Sequence, residues 1–441
     1  MARRTVFLEN ALTSAMLFAL LTFSGSTLAD GQTETILHTF TLGSKTDGAY
    51  SFSPLAYSAG VFYGTTRAGG AHNRGTVYQL APPTSKGGPW REKLIFSFGK
   101  TTGQDPTGTL LLNATTGKIY GTTLGTGDQS DPWGTVYELT PPPPSGGPWT
   151  EAVLYKFAGG HDGAYPESGL VSDEQGNLYG TCAGGGQGAG GVVFRLSPPA
   201  QEGGAWTETL LHGFTIGGIH GSALRGGLVF DGTGSLYGTT SLGGDHTCNA
   251  GRGCGTVFKL APPTDPGGAW TASVLYTFHA TDGLLPYSTL VFDGSGSLYG
   301  TTYQGGHGSK DLCCGTVFRL TPPADGSVPW ILTTLYAFEG ASDGENPHSG
   351  LVFDVTGALY GTTTQGGINA CTNPNGCGTV FRLNPPAQEG GSWTKEELYQ
   401  FIGGNDGWDP ETSLFLFGNK VYGTTAFGGA NNAGTVFEIA P

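Results

Sequence analysis

Between Gly226 and Phe278, apolar and polar residues come in four short bursts separated by glycine- and proline-rich breaks. Gly227-Leu228-Val229-Phe230 is a near-continuous apolar run, the pattern of a strand covered on both faces. Asp231-Gly232-Thr233-Gly234 has turn chemistry, and Ser235 to Thr240 (SLYGTT) is rich in aromatic and β-branched residues. After a loop, Gly255 to Leu260 alternates with period two. Pro262-Pro263 cannot continue a ladder, and Gly267-Gly268-Ala269-Trp270 leads into a fourth strand, Ala272 to Phe278. No stretch of this unit combines a 3.6-residue period with capping residues, so helix is not expected.

The same unit recurs along the chain. Tyr-Gly-Thr-Thr begins at Tyr63, Tyr120, Tyr237, Tyr299, Tyr360 and Tyr422, and Tyr179-Gly180-Thr181-Cys182 is a seventh, variant copy. The spacing averages about 60 residues, too long for a rung of a parallel β-helix. Gly-Thr-Val-(Phe/Tyr) follows each copy at Gly75, Gly134, Gly255, Gly315, Gly378 and Gly434, with Gly191-Val192-Val193-Phe194 as the exception. Four-stranded antiparallel units repeated radially make a β-propeller. The last repeat stops after its third strand, Gly434 to Ile439. The missing strand lies at the other end of the chain: Glu34 to Phe40 (ETILHTF) matches Glu208 to Phe214 (ETLLHGF). The expected fold is therefore all-β, a seven-bladed β-propeller of four-stranded antiparallel blades. Residues 33–40 clasp the ring shut by pairing with the 412–439 blade, and residues 30–441 form a single domain.

The first 29 residues do not belong to the pattern. Arg3 and Arg4, an apolar stretch from Ala11 to Phe23, and Thr27-Leu28-Ala29 read as a signal peptide, too short in its apolar part for a membrane span. A secreted, extracytoplasmic protein is expected, with no membrane span in the mature chain, and a monomer. Composition narrows its partners. Twenty Lys+Arg against 34 Asp+Glu give a net charge of −14, which leaves no basic surface for nucleic acid.

A residue that returns in every blade serves the architecture, because a site needs asymmetry. This assigns structural roles to the Tyr-Gly-Thr-Thr motifs and to the tryptophans Trp90, Trp149, Trp206, Trp270, Trp330 and Trp393, expected as plugs between blades. The Asp-Gly pairs at Asp47, Asp162, Asp282, Asp343 and Asp406 read as turns, with calcium as an alternative only where further oxygens converge. Oxidation is expected in an exported chain with seven cysteines. Cys248 and Cys254 precede Gly255 by the same offsets as Cys371 and Cys377 precede Gly378, which predicts two local disulfides. Cys313-Cys314 fits either a vicinal disulfide or two thiols, Cys182 is left free, and no Cys-x-x-Cys pair suggests zinc. Gly99-Lys100-Thr101 lacks the upstream glycine of a phosphate loop, and the nucleophile-elbow match at Gly340 to Gly344 has no following helix.

An antiparallel meander puts the blade-to-blade connections on one face with the loops between second and third strands. This face gathers the non-repeating residues: Tyr50, Trp133, Tyr165, Tyr287, Tyr303 and Trp408; carboxylates including Asp105, Asp162, Glu167 and Asp409; and His72, His161, His220, His246, His279, His307 and His348. Trp133 and Trp408 are the tryptophans outside the repeating series, so Trp133, Asp162, Tyr165 and Trp408 are the candidate ligand-binding residues. Aromatic platforms beside carboxylates suit a carbohydrate or a cell-surface protein, in a binding module that needs no cofactor. The alternative is a lyase or hydrolase at the central pore, with a histidine base and a divalent cation held by neighbouring carboxylates. No catalytic residue is singled out.

Leu298-Tyr299-Gly300-Thr301-Thr302, Gly305-Gly306 and Gly315 to Leu320 (GTVFRL) resemble the repeat of the bacterial GloVer (Gloeobacter/Verrucomicrobium) tandem-repeat proteins, also called choice-of-anchor repeat proteins. The resemblance runs over about residues 33–441. It implies an exported bacterial protein and carries over no catalytic residue. Members often end in a C-terminal sorting anchor, whereas here Ala440-Pro441 follows the final blade directly.

Overall fold

Each repeat becomes one antiparallel blade. In the computed structural model, Val229–Phe230, Leu236–Thr240, Thr256–Ala261 and Thr271–Thr277 pair in that order, and seven such four-stranded sheets follow one another around the ring. The described residues are 32–128, 132–201, 203–265, 267–306, 313–367, 371, 374–388 and 390–440; the signal-peptide reading of residues 1–29 and His307 lie outside them. Helix among the described residues is confined to three short 3-10 turns, and none is long and apolar enough to cross a membrane.

The seventh blade is closed by the N-terminal strand. Thr33–Thr39 pairs with Thr435–Ala440 from Thr33↔Ala440 to Thr39↔Thr435, in a sheet completed by Lys420–Thr425 and Phe415–Phe417. A register shift falls between Ile36 and His38, the same place at which the third and fourth strands of the other blades shift, for example at Val257/Phe258. The clasp thus reproduces a fourth strand down to its bulge.

The recurring residues hold neighbouring blades together. At every junction a phenylalanine at the end of the outer strand meets the aromatic of the next blade's third strand, edge to face as in Phe40–Tyr78 (5.1 Å), Phe278–Phe318 (5.1 Å) and Phe401–Phe437 (5.2 Å), and tilted at Phe214–Phe258 (5.1 Å). These rings are almost wholly buried. Trp270 packs on Tyr179, Trp330 on Tyr237 and Trp393 on Tyr299, each tryptophan against the previous blade's Tyr-Gly-Thr-Thr tyrosine. In that motif the first threonine reaches the connection that enters the next blade: Thr239 Oγ1 donates to Ser288 O at 3.2 Å and Thr362 Oγ1 to Pro410 O at 2.7 Å. The second shares a hydrogen bond with the Gly-Thr-Val threonine, as in Thr240–Thr256 at 2.8 Å. Where Cys182 replaces that threonine its strand partner is Val192, so both sides of the variant blade lose their hydroxyl together. Glycine is required at Gly238, where a Cβ would lie 2.7 Å from Phe258 Cζ, and at Gly255, whose φ is +100°.

Three disulfides close: Cys248–Cys254, Cys371–Cys377 and Cys313–Cys314, with Cα separations of 5.8, 5.7 and 3.3 Å, while Cys182 is free and buried. They fit an extracellular protein.

Candidate functional site

Each blade-to-blade connection is pinned to the loop between the second and third strands of the blade it enters. Gly48–Ala49 pairs with Ala68–Gly69, and single bridges such as Gln104↔Gly125, Leu284↔Gln304 and Trp408↔Phe427 repeat the contact around the ring. The next residue is left-handed in all seven connections: Tyr50, Asp105, Tyr165, Ala223, Leu285, Asn346 and Asp409 have φ between 55° and 65°. None is glycine, and such a conformation costs about 1–2 kcal/mol in an ordinary side chain. It is held by the preceding blade, whose loop carbonyl accepts the residue's N–H, as in Tyr50 N–H to Ala433 O at 2.7 Å and Asp409 N–H to Cys377 O at 3.0 Å.

Two residues further on, the chain turns inward. This position holds Phe52, Thr107, Glu167, Arg225, Tyr287, His348 and Glu411, one side chain per blade, and all seven line a single cavity of about 440 Å³ on the ring's axis. The neighbours of this position repeat, as Pro286, Ser288 and Leu290 do in Pro347, Ser349 and Leu351, while the position itself varies. Small residues let the inner strands crowd the axis: a Cβ on Gly169 would lie 2.7 Å from Thr109 O, and one on Gly227 would lie 2.9 Å from Thr289 Oγ1.

The lining divides into two walls and a link. On one wall Arg225 pairs with Glu167 at 3.1 Å and lies 5.4 Å over the Tyr287 ring. Tyr287 packs in turn on Tyr303 (5.3 Å) and His348 (5.1 Å). On the other, the Arg67 guanidinium lies 5.1 Å over Phe52, and Phe427 joins Phe52, Tyr50 and Trp408. Glu411 stands between them, and Asp409 precedes it by two residues in the same connection. Both carboxyls are held above their ordinary range, first by burial; Asp409 is raised further by the Glu411 charge, while Arg67 and Arg225 pull Glu411 back. Burial, then the charge of Arg225, lowers His348 to about 4, so its imidazole is neutral at pH 7. Burial also raises Asp105, against the pull of Arg67 and Arg74. The arrangement offers a small polar molecule aromatic faces, two guanidinium groups, a neutral imidazole and carboxyls able to donate as well as accept.

The four residues singled out from the sequence fall in different places. Tyr165 is exposed, occupies the left-handed slot two residues before Glu167, and meets Trp133 edge to face at 5.7 Å. Trp408 stacks on Phe427 at 4.5 Å and donates from Nε1 to Asn432 Oδ1 at 3.4 Å, which puts it at the outer rim of the Phe52 wall. Asp162 accepts from Tyr155 Oη at 3.1 Å and from Ala158 N–H at 3.0 Å. Asp282, Asp343 and Asp406 make the same pair of contacts, so Asp162 belongs to a recurring loop clamp. The sequence reading passed over Phe52, Arg67, Arg225 and Glu411. Aligning the repeats on the residue after the Pro of Pro106, Pro166, Pro286, Pro347 and Pro410 is the signal that finds most of this ring.

The family model of the Gloeobacter/Verrucomicrobia repeat matches residues 22–251 and 315–441. No curated protein matches the chain. Among solved structures, a Dyadobacter fermentans protein of unknown function is similar over 93% of this chain and 99% of its own, at 14% identity and a TM-score of 0.45. A luciferin-regenerating enzyme is similar over 78% of this chain and 93% of its own, at 13% identity and a TM-score of 0.43. A Mycobacterium tuberculosis puromycin-hydrolyzing peptidase is similar over 85% of this chain and 50% of its own, at 14% identity and a TM-score of 0.47.

Proposed function

The chain belongs to the Gloeobacter/Verrucomicrobia repeat family, and from that premise we propose that it is an exported binding module whose ligand, a carbohydrate or the sugar of a cell-surface partner, enters the axial cavity. One observation carries the reading: seven equivalent inward positions hold six residue types, while the positions around them repeat. Shared architecture explains the repetition, and a lopsided ligand explains the variation. Tyr287 and Phe52 offer faces to sugar C–H groups, and Glu167 and Glu411 accept hydroxyl hydrogens. Trp408 on its rim, and the Trp133–Tyr165 pair beside Glu167, would extend contact to a longer chain. The leader-like residues 1–29 and the three disulfides support export.

A glycan array followed by titration calorimetry tests the proposal. Glu411→Gln and Arg225→Ala should each weaken the selected oligosaccharide about tenfold or more, the loss of a hydrogen bond to a charged group. Unchanged affinity in both variants would remove the axial site. A second reading, a pore-centred hydrolase or lyase, draws support from the raised carboxyls of Asp409 and Glu411, because a carboxyl still protonated near neutrality can act as general acid. Turnover of the bound oligosaccharide, abolished by Glu411→Gln, would favour it.

A further inference from the structure

A different cluster lies where the clasp strand meets the first blade, Ala56–Ser58 to Arg91–Ser97. His38 sits on the clasp strand, Asp47 in the connection that follows it, and Glu92 on that blade's outer strand. His38 Nε2 and Asp47 Oδ1 are 3.2 Å apart, and one ligand atom from each of the three residues falls within 4.8 Å of the others. His38 and Asp47 keep only 19% and 13% of their side-chain surface, and Glu92 Oε1 is buried without a hydrogen-bond partner.

The other junctions provide internal controls. The position of His38 is Tyr155 where Asp162 and Glu208 complete the group, and Tyr399 where Asp406 and Glu34 complete it. At a third, Tyr336 and Asp343 face Lys395, whose ammonium lies 3.0 Å from Asp343 Oδ1 and already supplies the positive charge. In each of these a phenol donates to the aspartate, and a phenol near neutrality is a poor metal ligand. Buried, unpartnered Oε1 atoms recur at Glu34, Glu151 and Glu208, so that oxygen alone does not set the clasp junction apart. The imidazole does. His212 is the other imidazole at this register, and there Ala272 stands in the glutamate's place.

We propose that His38, Asp47 and Glu92 form a divalent-cation site that fastens the clasp strand to the first blade. One imidazole nitrogen and two carboxylates suit zinc or manganese, with water completing the shell, whereas calcium prefers oxygen throughout. A cation would offset the cost of burying two carboxylates side by side, a cost visible in Glu92, which burial raises to about 7 with Asp47 adding to the effect and His38 opposing it. The site ties the seventh blade's outer strand, which carries His38, to the first blade, which carries Glu92, so occupancy and the docking of that strand are linked. This inference stands apart from the axial cavity and from any ligand there.

The test uses full-length protein stripped with chelator, then titrated with zinc and with manganese. One equivalent of one of these ions should bind, and at about a hundredfold excess over Kd the melting temperature should rise by about 3 °C. His38→Tyr, which installs the phenol of the sister junctions, should keep the native circular dichroism and lose that equivalent. Glu92→Gln should weaken binding at least tenfold. The proposal is overturned if the wild-type protein takes up neither ion, or if His38→Tyr binds as the wild type does; either result leaves a hydrogen-bonded clamp only.

Discussion

Replacing Phe40 by alanine attacks the ring closure at one side chain. Phe40 is fully buried, lies 5.1 Å from Tyr78 and 4.8 Å from His38, and its backbone is held by Gly434 O at 3.0 Å. Truncating such a phenylalanine costs about 3–5 kcal/mol in transfer and cavity terms. With an unfolding entropy of about 2.1 cal/mol/K per residue, the roughly 410 residues of the propeller unfold with about 0.9 kcal/mol/K, so the melting temperature should fall by about 3–6 °C. Phe278→Ala, at a junction inside the chain with the same 5.1 Å edge-to-face contact, should cost a similar amount. The two differ in what loosens. Phe40→Ala should also let the strand Thr33–Thr39 peel from its partner, and exchange of the amides bonded between Thr33–Thr39 and Thr435–Ala440 should quicken, while Phe278→Ala leaves those amides protected. A melting temperature for Phe40→Ala within about 1 °C of wild type, or exchange as slow as in Phe278→Ala, would refute the clasp as the element that closes the ring.

Other outcomes follow from the same contacts. Asp409 and Glu411 bind their protons more tightly folded than unfolded, so they stabilise the fold at low pH and the benefit fades as pH rises through their raised values; melting temperature should fall from about pH 5 to about pH 8, and Asp409→Asn with Glu411→Gln should lessen that slope, the remainder coming from Glu34, Glu92, Glu151, Glu208 and Glu397, which burial also raises. Removing Cys371–Cys377 as a serine pair should cost about 2 kcal/mol, read by thermal unfolding, because the closed loop is short. Asp162→Asn should leave ligand affinity unchanged in calorimetry and lower stability by about 1 kcal/mol, since its carboxylate serves Tyr155 and Ala158.

Much of this architecture could be read from the chain because each blade states it again. A four-strand pattern that is ambiguous once becomes secure when Tyr-Gly-Thr-Thr returns at one spacing, and the match of Glu34–Phe40 to Glu208–Phe214 marks the clasp strand in the sequence itself. The inner strands were less legible: Gly227–Phe230 reads as four apolar residues, yet only Val229–Phe230 pairs, because Gly226 and Gly227 are given over to close approach around the axis. Repetition also misleads at a site. Searching for unusual residues found Trp133 and Trp408, which do depart from the pattern, and missed Arg67 and Arg225, which sit in fully repeated backbone slots and differ only in what fills them. Asp162 shows how a recurring role hides in the sequence: its partners, seven and four residues upstream, are internal to its loop.

A crystal structure of the protein with the oligosaccharide selected on the array would test the functional reading most directly. The account predicts ligand density in the axial cavity of about 440 Å³, within hydrogen-bonding reach of Glu411 and of Arg225 or Arg67. Density confined to an outer blade edge or to the Pro-Pro loops, with the axial cavity holding only solvent, would contradict it.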